Sequence, residues 1–263
     1  MSSGSTVSSS GEGVSLRSYD EAVRQVWRPL AVDGGLRELV RAGTLAANSH
    51  NTQPWRFSLA DHEVAIHPDL TRRCPAVDPD DNHLFASLGC AVENIVQAAP
   101  VLGFDATPAP NVSNDGAITL ALQRRQPTAN PLADAIVRRQ CTRADFDGRA
   151  IDKAAGSHEG VTCLLLTDRS RMEAIAGHVV EGNTAQMRDP AFMAELKAWI
   201  RFDDRMALAH RDGLTSRASG NPSLPAWLAR LLLPLVMTEK GEAAKINRQI
   251  RSSACATSFR MNA

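Results

Sequence analysis

The sequence predicts an α+β fold, in which helices and a hairpin-type sheet share one chain. Apolar residues recur at helical spacing over residues 36–47, as on one buried helix face. Two short apolar runs, 55–59 and 64–66, are separated by the polar residues 61–63, a pattern typical of a β-hairpin. A second helical stripe follows over residues 84–95. Helix, hairpin and helix in succession therefore indicate a mixed fold.

Composition narrows the classes of function. A chain of 263 residues with 43% hydrophobic content forms one large globular domain or two small ones. Its formal net charge is zero, so no overall basic field holds nucleic acid or an anionic membrane, and small-molecule chemistry is favoured. The five cysteines are odd in number and include no Cys-x-x-Cys, which argues against a disulfide framework or a zinc site. We therefore expect a cytoplasmic protein without a metal.

The two ends of the chain carry few structural signals. Residues 1–17 are rich in Ser and Gly and have no apolar core of signal-peptide length, so we expect a disordered tail. No apolar run reaches the roughly 18–20 residues that a membrane span needs, and the run at 231–237 contains a proline. We expect no membrane-spanning segment.

The first helix is expected to end near Asn48, where short polar side chains crowd together. Asn48, Ser49 and Asn51 favour turns through local hydrogen bonds, and Pro54 favours an extended conformation at Gln53. A strand should then begin at residue 55. Without further information, the segment is a helix-to-strand connector whose amides cap backbone groups.

The second helical stripe has its own start signal. Asp78 followed by Pro79 is a favourable N-cap and first helical position, and the pattern continues to about Gly103, which would make this the longest helix. Small residues at its middle would let another helix approach closely, although an ordinary core helix has the same pattern.

The domain boundary is predicted at the connector 127–131. A strand is expected over 117–122, before the boundary, and a helix with Leu132, Ile136 and Val137 on one side follows it. That helix ends in the basic residues 138–143, which taken alone favourably offset the negative end of the helix dipole. Further predicted elements are a strand at 161–166 and helices at 171–180 and 190–202.

The polar segment resembles the flavin-ring loop of the nitroreductase family, Ala-Pro-Ser-Ser-x-Asn-x-Gln-Pro-Trp-x-Phe. The matching residues are Ala46, Ser49, Asn51, Gln53, Pro54, Trp55 and Phe57. Ala47 and Asn48 stand where the family has Pro and the first Ser, a form similar to the Acg-like branch, whose single chains look like two fused subunits. The resemblance covers about residues 18–253.

This resemblance implies a mostly antiparallel sheet flanked by helices, built from two fused half-repeats. The first half would span 18–126 and the second 127–263. Arg139, Cys141 and Arg143 fall where the family has Arg-x-Ser-x-Arg, whose guanidinium groups hold the FMN phosphate, and Arg138 precedes them as in Acg-like chains. FMN would then lie between the halves. The implied cofactor-binding residues are Asn48, Ser49, His50, Asn51, Gln53, Arg138, Arg139 and Arg143.

The implied activity is that of an FMN-dependent NAD(P)H oxidoreductase, which reduces a small nitro-aromatic or quinone-like acceptor. Two alternatives remain: a protein that binds or sequesters FMN without turnover, and an inactive truncated homologue. The sequence names no catalytic acid or base, and His50 is either a ring contact or a structural loop histidine. The expected assembly is a monomer that acts as an intramolecular pseudo-dimer, or a homodimer.

Two segments of the second half leave questions open. Residues 213–241 form either a lid over the flavin or a surface excursion packed by its own apolar residues. Residues 255–262 do not resemble the apolar strand that the family has after a Ser-Ser-Ala segment, so we expect a second half that is incomplete at its C-terminus and leaves edge strands unpaired.

Overall fold

The computed structural model describes residues 19–109, 115–139, 141, 161–166, 168–219, 224–225, 227–229, 231–232, 238, 240–241, 244 and 256–261. The predicted disordered tail at 1–17 lies outside the described residues, as does the predicted phosphate ligand Arg143. In the segment 213–241, for which the sequence leaves two alternatives, most residues after 219 also lie outside the described residues.

The described residues combine helices with a mainly antiparallel sheet, so the predicted α+β class is confirmed. The helices are α1 Tyr19–Val26, α2 Gly35–Thr44, α3 Asn82–Ala98, α4 Pro131–Arg138, α5 Arg169–Arg188, α6 Pro190–Trp199, α7 Asp204–His210 and α8 Ser216–Ser219. The strands are β1 Trp55–Ala60, β2 Glu63–Pro68, β3 Phe104–Pro108, β4 Ile118–Arg124, β5 Val161–Leu166, β6 Ile200–Arg201, β7 Leu214–Thr215 and β8 Ala256–Met261.

The main sheet is antiparallel and has four strands in the order β1-β2-β4-β3. The predicted hairpin is confirmed, with Phe57 opposite Ile66 in the β1–β2 register. Helices α2 and α3 pack against each other, and α3 also contacts the sheet. The side chains buried most completely in this core are Leu39, Val64, Ile66, Leu88, Ile95 and Leu120.

The described strands after residue 127 form two separate small sheets. β5 pairs with β8 in an antiparallel register that sets Val161 opposite Met261. Residues 256–261 thus form a strand although they do not resemble the apolar strand of the family, because backbone pairing along β5 suffices for an extended segment whose sequence is not uniformly apolar. β6 and β7 form a two-residue parallel pair.

Several predicted helix bounds need correction. α3 begins at Asn82 rather than Pro79, because the backbone N–H of Asp81 donates to the Asp78 carbonyl in a turn. The Asp78 carboxylate still accepts from the N–H of Leu84 at 3.1 Å. It therefore provides a hydrogen-bond partner for an N–H group in the first turn of α3, although Asp78 lies outside the helix. α3 ends at Ala98 and has 17 residues, whereas α5 has 20 and is the longer helix.

Smaller differences have local causes. α2 ends at Thr44, four residues before the predicted Asn48, since the N–H groups of Leu45 and Ala46 bond three residues back in a tight final turn. In α4 the buried residues are Ala133 and Ile136, whereas Leu132 is exposed, because position 132 faces away from the core. Among the described residues, no helix is long and apolar enough to cross a membrane.

Candidate functional site

The loop between α2 and β1 has an unusual backbone. His50, Asn51 and Gln53 have φ values of 50°, 52° and 52°, a left-handed region that side chains other than glycine seldom adopt. The predicted extended conformation of Gln53 is therefore wrong. Its backbone N–H donates to the side-chain Oδ1 of Asn48 at 2.8 Å, which closes the loop and outweighs the preference imposed by Pro54. A strained loop of this kind persists only where its surroundings hold it.

A turn far along the chain, Arg211–Gly213, is hydrogen-bonded to the loop. The Gly213 N–H donates to the Asn51 carbonyl at 2.9 Å, and the Asn51 Nδ2 donates to the Gly213 carbonyl at 3.1 Å. The Gln53 Nε2 donates to the Arg211 carbonyl at 2.7 Å. Asn51 and Gln53 thus use side-chain donors to join the two parts of the chain.

Asp212 lies at the centre of this turn in a buried ion-pair network. Its Oδ1 accepts from the Nε and Nη2 of Arg201 at 3.0 and 2.6 Å, and its Oδ2 accepts from the Nη1 of Arg72 at 2.8 Å. The same Arg72 nitrogen donates to the carbonyl of Thr52 at 2.9 Å. Because Asp212, Arg201 and Thr52 are all buried, this network fixes the loop against the second half.

The turn forms where α7 ends. Arg211 adopts a left-handed conformation with φ 57°, a common way for a helix to stop. Gly213 has φ 79°, and a Cβ added there would lie 2.4 Å from the carbonyl oxygen of Trp199. Only glycine fits this position, so the approach of the turn to α6 depends on it.

Arg139, which follows the last residue of α4, contacts the residue that follows α2. The Nη2 of Arg139 donates to the carbonyl of Leu45 at 2.7 Å, and its guanidinium carbon lies 5.8 Å from the centre of the Trp27 ring. The Arg139 Nη1 lies 2.9 Å from the Sγ of Cys141. In the part of the chain that the structure describes, no carboxylate forms an ion pair with Arg139.

The segment that carries Trp27 is fixed by a buried carboxylate on α2. Glu38 accepts hydrogen bonds from Arg28 at 2.7 and 2.9 Å and from Arg41 at 3.0 and 2.6 Å. Burial by itself raises the pKa of Glu38, but the bonds from Arg41, Arg28 and the Ala31 N–H outweigh it and lower the pKa to about 2. The carboxylate is ionised at neutral pH and holds residues 28–31 on the helix.

The remaining predicted site residues occupy two different settings. The Ser49 hydroxyl lies 3.1 Å from the Nδ1 of His50, and both residues are half-buried at the loop surface. Arg138 is exposed, and its Nε donates to the Asp134 carbonyl at 3.3 Å. The structure therefore places Asn48, Ser49, His50, Asn51 and Gln53 in one loop and joins Arg139 to Leu45, three residues before Asn48. Their roles as cofactor ligands, and that of Arg138, stay predictions.

Sequence reasoning missed the residues that support the loop. Arg72, Arg201, Asp212 and Gly213 were assigned no role, since each acts through contacts with residues far away in the sequence. The one local signal was the Asp-Gly dipeptide at 212–213, which marks a turn but not what the turn touches.

A second polar cluster lies on the hairpin. The Ser58 hydroxyl is 2.9 Å from the Nε2 of His67, whose Nδ1 is 3.7 Å from the Asp115 carboxylate. The order of groups is that of a serine hydrolase, but the His–Asp distance exceeds a hydrogen bond and both side chains are partly exposed to solvent. The cluster is a cross-strand polar contact. Within the described residues, no group of three or more His, Cys, Asp or Glu side chains is placed to hold a metal ion.

Comparison with known proteins yields distant relatives. No family model matches the chain. Two Mycobacterium tuberculosis proteins, from strains CDC 1551 / Oshkosh and ATCC 25618 / H37Rv, are each 27% identical to it over 178 residues, which covers 62% of this chain. Both are named "Putative NAD(P)H nitroreductase". The chain spans about half the length of each, since the matched region covers 50% of either relative. The chain is thus a distant homologue of proteins that carry the nitroreductase name, which supports the nitroreductase family.

Proposed function

We propose that the protein is an FMN-dependent NAD(P)H oxidoreductase of the nitroreductase type, of the Acg-like form with two fused half-repeats. FMN would bind between the loop 48–53 and the arginines of residues 138–143. The observation that carries this proposal is the bond from the Arg139 guanidinium to the Leu45 carbonyl, which joins residues 94 apart in the sequence at the start of the loop.

The chemistry of the donors fits FMN. A phosphate needs cationic donors, and the described hydrogen-bond partners of Arg139 are the Leu45 carbonyl and the Cys141 sulfur, with no carboxylate among them. Arg138 is the last residue of α4 and is exposed, so its charge is also accessible. The Ser49 hydroxyl and His50 imidazole supply polar groups at the loop surface, where the edge of a flavin ring needs hydrogen-bond partners.

Bound FMN would supply the redox chemistry, taking a hydride from NAD(P)H and passing electrons to a nitro-aromatic or quinone-like acceptor. The chain's own residues would bind FMN and orient its ring. Arg138, Arg139 and Arg143 would hold the phosphate, while Asn48, Ser49 and His50 would contact the ring. Asn51 and Gln53 would keep the loop in place through their bonds to the second half.

A spectroscopic experiment tests the proposal. The purified protein is incubated with excess FMN, desalted and scanned for the visible flavin bands, and the retained flavin is then titrated anaerobically with NADH and with NADPH. Retained flavin that bleaches is the expected result. Retained flavin that neither nucleotide reduces would support a sequestering protein instead, and a colourless protein would contradict both.

Arg139→Ala tests the placement of the phosphate. We expect FMN affinity to fall by about 1.5–3 kcal/mol, since a charge-assisted contact is lost. Arg125→Ala is the matched control, because Arg125 pairs with Asp105 on the exposed end of the main sheet and should leave FMN binding unchanged. Equal losses in fluorescence titrations of the two variants would refute the assignment.

A further inference from the structure

The turn Arg211–Gly213, which follows α7, is bonded to the loop 48–53 through the Gly213 N–H, the Gly213 carbonyl and the Arg211 carbonyl. Because three loop residues have positive φ, the loop conformation costs free energy that other contacts must offset. The hydrogen bonds from Asn51 and Gln53 to the turn join residues 162 and 158 apart in the sequence. The shape of the loop therefore depends on the second half of the chain.

Asp212 fixes the orientation of that turn. Both of its carboxylate oxygens are used, one by the buried Arg201 and the other by Arg72. Arg72 in addition bonds to the Thr52 carbonyl, so one guanidinium connects the turn to the loop backbone directly. The described hydrogen bonds of Arg72 and Asp212 thus join protein groups to one another, which is the pattern of residues that support a loop.

We infer that Asp212 and Arg72 are positioning residues: they hold Ser49 and His50 in the geometry that receives the flavin ring. The inference rests on the proposed function. The loop would be shaped before the cofactor arrives, so binding would not incur the free-energy cost of ordering it.

Two variants and one control test the inference. Asp212→Asn removes the charge between the arginines, and Arg72→Ala removes the bridge to Thr52. The Arg72 side chain is 36% exposed, so we expect Arg72→Ala to fold even if Asp212→Asn does not. Asp204→Asn is the matched control, because Asp204 also receives two bonds from an arginine, Arg217, at 3.0 and 2.7 Å but lies away from the loop.

The measurements are the FMN dissociation constant, the visible spectrum of bound FMN and the thermal midpoint. We expect each test variant to weaken FMN roughly tenfold and to change the flavin band shape, at a temperature where the protein is folded. Arg72→Lys should recover part of the affinity, and Asp204→Asn should change neither binding nor spectrum.

The outcomes separate this inference from the proposed function. If the wild-type protein binds FMN while Arg72→Ala lowers only the thermal midpoint and leaves affinity and spectrum unchanged, the residues are merely structural and the inference is overturned. If the wild-type protein binds no FMN, the proposed function fails and the inference fails with it.

Discussion

Glu38 offers a test of the structure that needs no cofactor. Its carboxylate is buried on α2 and accepts from Arg28, Arg41 and the N–H of Ala31. Because its folded pKa of about 2 lies below the ordinary value of 4.5, the ionised form stabilises the fold above pH 4.5, and that stabilisation is lost as the pH falls toward 2.

The magnitude follows from the pKa difference. A shift from 4.5 to about 2 corresponds to about 3 kcal/mol of unfolding free energy at pH 7, at 1.36 kcal/mol for each pKa unit. At pH 3 about 1.5 kcal/mol should remain by the same linkage. Glu38→Gln cannot ionise, so the gap between it and the wild-type protein should shrink from about 3 to about 1.5 kcal/mol over this range.

Urea unfolding at pH 7 and pH 3, followed by circular dichroism, measures this gap. Glu173→Gln is the control, since Glu173 forms a comparable ion pair with Arg169 but is 64% exposed, and its effect should stay within about 0.5 kcal/mol at both pH values. A gap for Glu38→Gln that is the same at pH 7 and pH 3 would refute the reasoning.

Two further predictions concern glycine and cysteine. Gly213→Ala should lower the unfolding free energy by about 3 kcal/mol or more, because its Cβ would meet the carbonyl at the end of α6 at 2.4 Å in a left-handed backbone. Gly89→Ala in α3, with nothing within 4 Å, should be neutral or stabilise by up to about 1 kcal/mol in the same assay. Burial, with nearby carboxylates, raises the pKa of Cys74 to about 11, so iodoacetamide at pH 8 should label the exposed Cys90 and Cys141 and spare Cys74 until urea is added. Peptide mass mapping checks this, and rapid labelling of Cys74 in the native protein would contradict it.

The elements that the sequence predicted are those whose signals are local. The β1–β2 hairpin and the α3 stripe follow from side-chain periodicity within a few residues, and the structure has both. The predicted start of α3 at Pro79 is wrong, because the helix begins at Asn82. Asp78 accepts a hydrogen bond from Leu84, six residues later, which is farther along the chain than an N-cap side chain usually reaches.

The candidate site shows the limit of sequence reasoning more clearly. The residue types at 48–53 and 138–143 drew attention through a family resemblance, whereas the backbone of the loop could not be foreseen. Gln53 precedes a proline and should be extended, yet it has φ 52° because bonds to Asn48 and Arg211 hold it there. A contact 158 residues away leaves no trace in a local pattern.

The hydrogen bonds between Asn51 and Gly213 also set an order of events during synthesis. All four strands of the main sheet lie between residues 55 and 124, so that sheet can form as soon as the ribosome has released them. The loop at 48–53 must wait until residue 213 has been made. The contacts between this loop and the turn therefore form later than the sheet beside them can be completed.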